Sequence, residues 1–134
     1  MKEVLFVCQA NVGRSQMAEG FYNHFTKSNS SCSAGVDNVS EKYGGIPTPK
    51  IQQIMREKGV DLSSHRIKQI TPELLDTVKS IVVFCEESIC PTYLLGHSMT
   101  TFIPVQDPYM MEIEGMRNIR DEIEQVVLKL ISQK

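Results

Sequence analysis

KEVLFVC-QANVG-RSQMAEGFYNHFTK, residues 2–27, holds the pattern that decides the fold. Lys2 to Cys8 is a short run rich in Val, Leu and Phe that stops at polar, Gly-containing sequence, which predicts a buried strand. Gln9 to Gly13 is a loop. From Arg14 to about Lys27, Met17, Ala18, Phe21, Tyr22 and Phe25 fall on one face of a predicted helix. The opening unit is therefore strand, five-residue turn, helix, with a cysteine ending the strand and an arginine starting the helix.

The rest of the chain repeats this alternation. Ser28 to Ser31 breaks the helix, and Cys32-Ser33-Ala34 predicts a short second strand. Asp37 to Pro47 reads as a loop. Thr48 to Lys58 predicts a second helix, with Pro49 in its first turn, Ile51, Ile54 and Met55 on its face and Gly59 as its stop. Asp61 to Thr71 is irregular, and Pro72 to Leu75 suits one helical turn. Lys79 to Cys85 reads as a third strand, Glu86 to Leu95 as a short helix, Thr100 to Val105 as a fourth strand. Glu112 to Ile131 closes the chain as a long helix with Met116, Ile119, Ile123, Val126, Val127 and Leu130 inward. Strands alternating with helices imply α/β: a four-stranded parallel sheet with helices on both faces, three layers in all. Residues 1–134 fit one domain, with no internal repeat or linker.

Such sheets bind ligands at the carboxyl ends of their strands. Cys8 ends the first strand, Cys85 the third, and Asp107 follows the fourth, so three chemically capable residues are expected on one rim. In Cys8-Gln9-Ala10-Asn11-Val12-Gly13-Arg14-Ser15, main-chain N–H groups of the loop and first helical turn have no internal partners and can cradle an oxyanion. Arg14 adds two parallel donors and the helix dipole adds positive potential. The same field stabilises a Cys8 thiolate, the nucleophilic form. Ser15 can donate to that thiolate or to a leaving group. No G-x-x-x-x-G-K-[ST] is present, which excludes a nucleotide P-loop of that type.

Composition sets outer bounds. Of 134 residues, 41% are apolar and 22% charged, ordinary for a soluble globular domain, and a net charge of −2 gives no general electrostatic reason to bind nucleic acid or a membrane surface. The apolar run Val4 to Val7 is too short for a signal or membrane segment, so a cytoplasmic setting is expected. There the four cysteines, Cys8, Cys32, Cys85 and Cys90, favour reactive thiols over structural disulfides. Zinc has neither a C-x-x-C nor a histidine pair to hold it. Cys32 reads as a core thiol.

Val7 to Glu19 resembles the signature of low-molecular-weight protein tyrosine phosphatases and of their relatives, the thioredoxin-coupled arsenate reductases. The resemblance extends to Ser33-Ala34-Gly35, Gly59 to Ser63, Asp107-Pro108 and the closing helix. It implies the fold above, Asp107 as general acid, and Asn11 and Ser33 as braces of the loop. No cofactor is required by this chemistry. In some arsenate reductases the positions matching Asn11, Glu19, Ser33 and Asp61 hold a potassium ion. All four residue types are present, which admits that site, although each alone also suits a helix cap or a solvated side chain.

The resemblance implies two activities. A phosphatase hydrolyses a Cys8 cysteinyl-phosphate formed from phosphotyrosine or an aryl phosphate. Ser64 to Gln69 and Asp107-Pro108-Tyr109 look more like that branch, in which Tyr109 flanks the substrate. An arsenate reductase needs two further thiols, and Cys85 and Cys90 suit a relay: Cys85 attacks the sulfur of arsenylated Cys8, then Cys90 resolves the bond and presents a disulfide to thioredoxin or a similar dithiol. The balance favours the reductase, since a relay explains two thiols that packing would leave as accidents. A non-catalytic oxyanion sensor is a third class, but needs neither nucleophile nor acid. On one intact helix, Cys85 and Cys90 would be separated by a rise of about 7.5 Å, beyond the roughly 6.8 Å limit of a disulfide, so residues 86–91 are expected to unwind or reorder on oxidation. His65 reads equally well as a surface histidine or a functional one.

Overall fold

Val4 through Cys8 are all buried, and the remaining elements are laid down on either side of this run. In the computed structural model, which describes residues 1–39 and 41–133, this strand, β1 (Lys2–Cys8), pairs in parallel with β2 (Ser31–Gly35) and with β3 (Val78–Val83). β4 (Thr100–Phe102) pairs in parallel with β3, giving the order β2-β1-β3-β4. Parallel neighbours need crossover connections, and the helices supply them.

Strand alternation sorts the core into two layers. Val4, Phe6, Cys8, Val82 and Phe84 face α1 (Arg14–Thr26), α2 (Pro49–Arg56) and α5 (Ile113–Ser132). Phe6 stacks on Phe84 with ring centroids 5.9 Å apart and meets Tyr22 edge-on at 6.0 Å. Each such fully buried ring contributes roughly 1.5–3 kcal/mol. Leu5, Val7, Ile81 and Val83 face a thinner layer made by the single turns α3 (Pro72–Leu75) and α4 (Thr92–Leu95). Among the described residues no helix is long and apolar enough to cross a membrane.

The predicted elements are found with boundaries shifted by a few residues, except for one helix. β3 stops at Val83 and β4 at Phe102, shorter than expected. The helix predicted from Glu86 to Leu95 does not form. A single 3-10 turn spans Glu87–Ile89, Cys90 is extended (φ −83°, ψ 142°), and α4 begins after Pro91. Pro91 explains the break, since the residue before proline is pushed out of the helical region. The premise of an intact helix between Cys85 and Cys90 therefore fails, and with it the need to unwind one.

α2 and α5 are joined by a charged clamp. Arg120, buried on α5, donates to the Ile54 carbonyl (3.0 Å) and to Glu57 (2.7 Å). Arg117 also binds Glu57 (2.7 Å) and reaches Glu114. Hydrogen bonds from the two guanidiniums pull the Glu57 carboxyl down to about 2. A carboxylate with a depressed pKa adds stability that is complete above its unfolded value and is lost as pH falls through the folded one. Urea unfolding of wild type and Glu57→Gln should therefore differ at pH 6 and converge as the pH approaches 2. A constant gap across that range would show that the clamp carries no charge-dependent stability.

Candidate active site

Cys8 is the last residue of β1, and the chain leaves it by a turn that wraps back over the sulfur. Pairing with the β2 side continues past the strand, with Val36 N–H donating to the Cys8 carbonyl (3.0 Å) and Asp37 N–H to the Gln9 carbonyl (2.8 Å). Asn11 then adopts the left-handed conformation at φ 57°, which asparagine tolerates better than most residues. That reversal turns the Asn11 N–H onto Cys8 Sγ at 3.2 Å. Ser15 Oγ lies 2.9 Å from the same sulfur. α1 starts at Arg14 with Gly13 as its N-cap and no side-chain capping bond, so amides of its first turn remain available to an anion. Ala10 and Val12 contribute backbone to this loop and line the crevice above it.

A buried chain of hydrogen bonds fixes which way Ser15 donates. Gln16 Nε2 contacts two acceptors, Asn11 Oδ1 (3.0 Å) and the Arg66 carbonyl (2.8 Å), which sets the orientation of its amide. Gln16 Oε1 consequently faces His65 Nδ1 at 2.8 Å, and that nitrogen must carry a hydrogen. Asn11 Oδ1 also accepts from the Lys68 main-chain N–H (2.9 Å), and Asn11 Nδ2 donates to Ser15 Oγ (2.7 Å). The Ser15 hydroxyl hydrogen is thereby left for Cys8 Sγ. From His65 through Gln16, Asn11 and Ser15, one donor at each step points toward the sulfur. Burial pushes the His65 pKa down, against the pull of the Glu19 charge, which favours the neutral Nδ1–H ring.

Arg14, 6% exposed, is aimed by two carbonyls: its Nη1 donates to Val105 (2.9 Å) and Phe84 (3.3 Å). Its Nη2 stands 3.6 Å from Asp107 Oδ2. Asp107 is half-exposed at the rim, and its Oδ1 accepts the Tyr109 N–H at 2.9 Å, a local turn that fixes the carboxylate opposite Arg14. A crevice of about 810 Å³ opens above Cys8 between Tyr43, Tyr109, Ile51 and Met111. The Lys42 ammonium lies over both rings, 5.4 Å from Tyr43 and 6.0 Å from Tyr109.

The two further rim thiols do not line this crevice, though Cys85 lines a smaller cavity that shares Gln9, Arg14 and Asp107 with it. Cys85 and Cys90 are buried, with their sulfurs 4.0 Å apart, and Cys90 Sγ also contacts the Glu86 carbonyl at 3.4 Å. Burial, more than any neighbouring charge, pushes Cys85 up to about 12 and raises Cys90. Cys85 packs in the α3/α4 layer whereas Cys8 packs in the α1/α5 layer. The shared rim is as expected, but the side chains leave the sheet on opposite faces. Cys32 sits half-buried in β2 against the Val4 carbonyl.

Asn11, Glu19, Ser33 and Asp61 do not present an oxygen cage that fits potassium. Asn11 Oδ1 already accepts two N–H groups, and Asp61 Oδ1 accepts the Ser63 N–H at 2.8 Å. Glu19 Oε1 accepts from Ser33 Oγ (2.6 Å) and has the Lys68 ammonium 3.8 Å away, a cation supplied by the chain itself. Gln16 and Lys68 were not singled out from the sequence. A glutamine inside the buried face of a helix, one position before Met17, is the signal that could have found the first; the second acts through its backbone and leaves no side-chain signal.

Gly35 supports the loop from below. A Cβ there would stand 2.8 Å from the Ala10 carbonyl carbon and the Asn11 nitrogen, both main-chain atoms that cannot move cheaply. Gly35→Ala should weaken binding of an oxyanion such as vanadate at least tenfold while costing about 1–3 kcal/mol of stability; unaltered vanadate inhibition would show that the loop does not need this close approach. Gln16→Met should lower turnover at least tenfold, and His65→Ala less, because it acts one bond further out. The reverse ranking would break the directional chain.

The low molecular weight phosphotyrosine protein phosphatase profile matches residues 3–134. A probable low-molecular-weight protein-tyrosine-phosphatase, EpsP of Ralstonia solanacearum, is 33% identical over 84 residues, 62% of this chain and 55% of that protein. An arsenate reductase of Brevibacillus brevis is 30% identical over 125 residues, covering 91% of this chain and 88% of the relative. The crystal structure of a low-molecular-weight protein tyrosine phosphatase from T. tengcongensis superposes with a TM-score of 0.86 over 100% of both chains at 26% identity. Phosphatases and arsenate reductases both stand among these relatives, and the chain belongs to the low-molecular-weight phosphotyrosine protein phosphatase family.

Proposed function

We propose that the protein reduces arsenate to arsenite through Cys8, Cys85 and Cys90. The observation that carries this reading is the 4.0 Å approach of two buried thiols beside an oxyanion loop. In the first step Cys8 attacks arsenic, Arg14 and the loop amides hold the remaining oxygens, and Asp107 protonates the departing oxygen as water. Cys85 then attacks Cys8 Sγ. A Cys8–Cys85 disulfide forms, the sulfur–arsenic bond breaks, and its electron pair leaves with arsenic as arsenite. Cys90 attacks Cys85, frees Cys8, and leaves a Cys85–Cys90 disulfide for a thioredoxin- or glutaredoxin-like dithiol in a reducing, cytoplasmic setting. Closing that bond shortens a 4.0 Å gap to about 2.05 Å. Cys85 must swing from its own layer to reach Cys8, and the non-helical stretch before Pro91 gives it the slack.

A second reading has its own observation. Tyr43 and Tyr109 wall a crevice far larger than an arsenate ion needs, which suits hydrolysis of a phosphotyrosine or aryl phosphate through a Cys8 cysteinyl-phosphate.

Arsenate reduction with a thioredoxin system and cleavage of an aryl phosphate separate the two. Cys8→Ser should abolish both. Cys85→Ser and Cys90→Ser should abolish arsenate turnover and keep ester cleavage; normal arsenate turnover by Cys85→Ser would end the relay. Because Cys85 is held near 12, its thiolate fraction grows about tenfold per pH unit below that value. Arsenate turnover limited by the relay should therefore climb from pH 7 to 9 more steeply than ester cleavage. Asp107→Asn should slow esters with poor leaving groups most.

A further inference from the structure

A second cavity of about 390 Å³ adjoins the Cys8 crevice, sharing Gln9, Arg14 and Asp107 with it, and is walled on its far side by Cys85, Glu86 and Ile89. Cys85 faces it, and Cys90 stands behind at 4.0 Å. We propose that Cys85 and Cys90 form a binding site for trivalent arsenic, next to the oxyanion loop but using none of its donors, that takes arsenous acid or a monosubstituted arsenical as a cyclic dithiol adduct. The proposal does not rest on the reductase reading, since a dithiol captures trivalent arsenic whether or not the same chain produces it.

Geometry favours a one-atom bridge. A thiophilic atom bonded to both sulfurs at roughly the 2.3 Å of a metal–thiolate bond spans, at a tetrahedral angle, about 3.8 Å between them. The observed separation is 4.0 Å. A disulfide requires much more movement. The donor set also selects the ligand. Zinc needs four ligands, and among the described residues no group of three or more His, Cys, Asp or Glu could hold a metal ion. Trivalent arsenic makes three bonds and can keep a hydroxyl or aryl group on the third, so two thiols suffice.

Charge points the same way. The two thiols are raised by burial, and the Glu87 charge lifts Cys90 further. A metal ion would need both deprotonated. Arsenous acid is uncharged and exchanges hydroxyls for thiols: two As–S bonds form, two As–O bonds break, and the two thiol protons leave with the hydroxyls as two waters. Arsenic stays trivalent and no electron is transferred. Glu86 and Glu87 stand beside the pair, and Arg14, the cation of the shared wall, is already directed at Asp107 and two carbonyls, so a neutral molecule needs no charge partner here. The chain thus offers a tetrahedral anion one site and a neutral trivalent arsenical another.

The test uses reduced full-length protein and one equivalent of phenylarsine oxide, in excess monothiol so that single-thiol adducts are stripped. Trypsin cleavage after Lys79 and Arg117 yields a peptide that contains Cys85 and Cys90 and neither other cysteine. Mass spectrometry should find the arsenical on that peptide in wild type and in Cys8→Ser. Cys85→Ser and Cys90→Ser should each lose affinity at least 100-fold. The peptide map of wild type needs no variant, so a misfolded substitution cannot mask the result. An arsenical bridging the Cys8 peptide to this one, or undiminished retention by either single variant, would overturn the proposal. Absent arsenate turnover with the adduct formed as mapped removes the reductase reading and supports the site; turnover with no adduct does the reverse.

Discussion

The hydrogen bond from the Asn11 amide to the Cys8 sulfur depends on one backbone reversal, and that reversal organises the site. With Asn11 left-handed, its amide meets the sulfur and its side chain turns into the protein. There Gln16 and the Lys68 amide hold its carbonyl, and its own NH₂ group holds Ser15. A conformation costing of order 1 kcal/mol for a non-glycine residue persists because several partners over-determine it. The turn is thus fastened to α1 through Gln16 and to residues 65–68 through His65, Arg66 and Lys68. Stability of the loop and the hydrogen bonding of the Cys8 sulfur have the same origin.

The strand–loop–helix opening was legible because its physics is local. A buried apolar run, a glycine before a helix and a 3.6-residue apolar stripe each leave a mark in the sequence. Cys8, Ser15 and Arg14 could be placed together for the same reason. The oblique placement of Cys85 was not legible. The parallel register sets Val7 beside Val83, so Cys8 shares a face with Phe84 and Cys85 takes the other. That choice depends on tertiary packing. The failed helix after Cys85 was nearer to hand: Pro91 disfavours helical geometry at Cys90, and a helical average over Glu86 to Leu95 hid it. The Gln16 bridge was hidden because glutamine is usually a solvated residue.

The two layers of the core bear different loads. The α1/α2/α5 side carries the fully buried aromatic rings, the long closing helix and the Glu57 clamp, and the Cys8 loop grows from it. The α3/α4 side consists of single turns and holds Cys85 and Cys90. A heavily packed layer beneath the Cys8 loop and a lighter one beneath the pair of thiols suits the proposed relay, in which one site is preorganised and the other rearranges.

The sheet's outer strands bear on how copies of the chain meet. β4 has three residues, and β2 has five whose end is closed off, since Gly35 donates to the Lys68 carbonyl and accepts from Ile70. Little open ladder is left at either margin for an intruding strand from another molecule. Edge-to-edge pairing between crowded copies therefore has little ladder to build on, and the carboxyl ends of the strands can stay open without long bare flanks beside them.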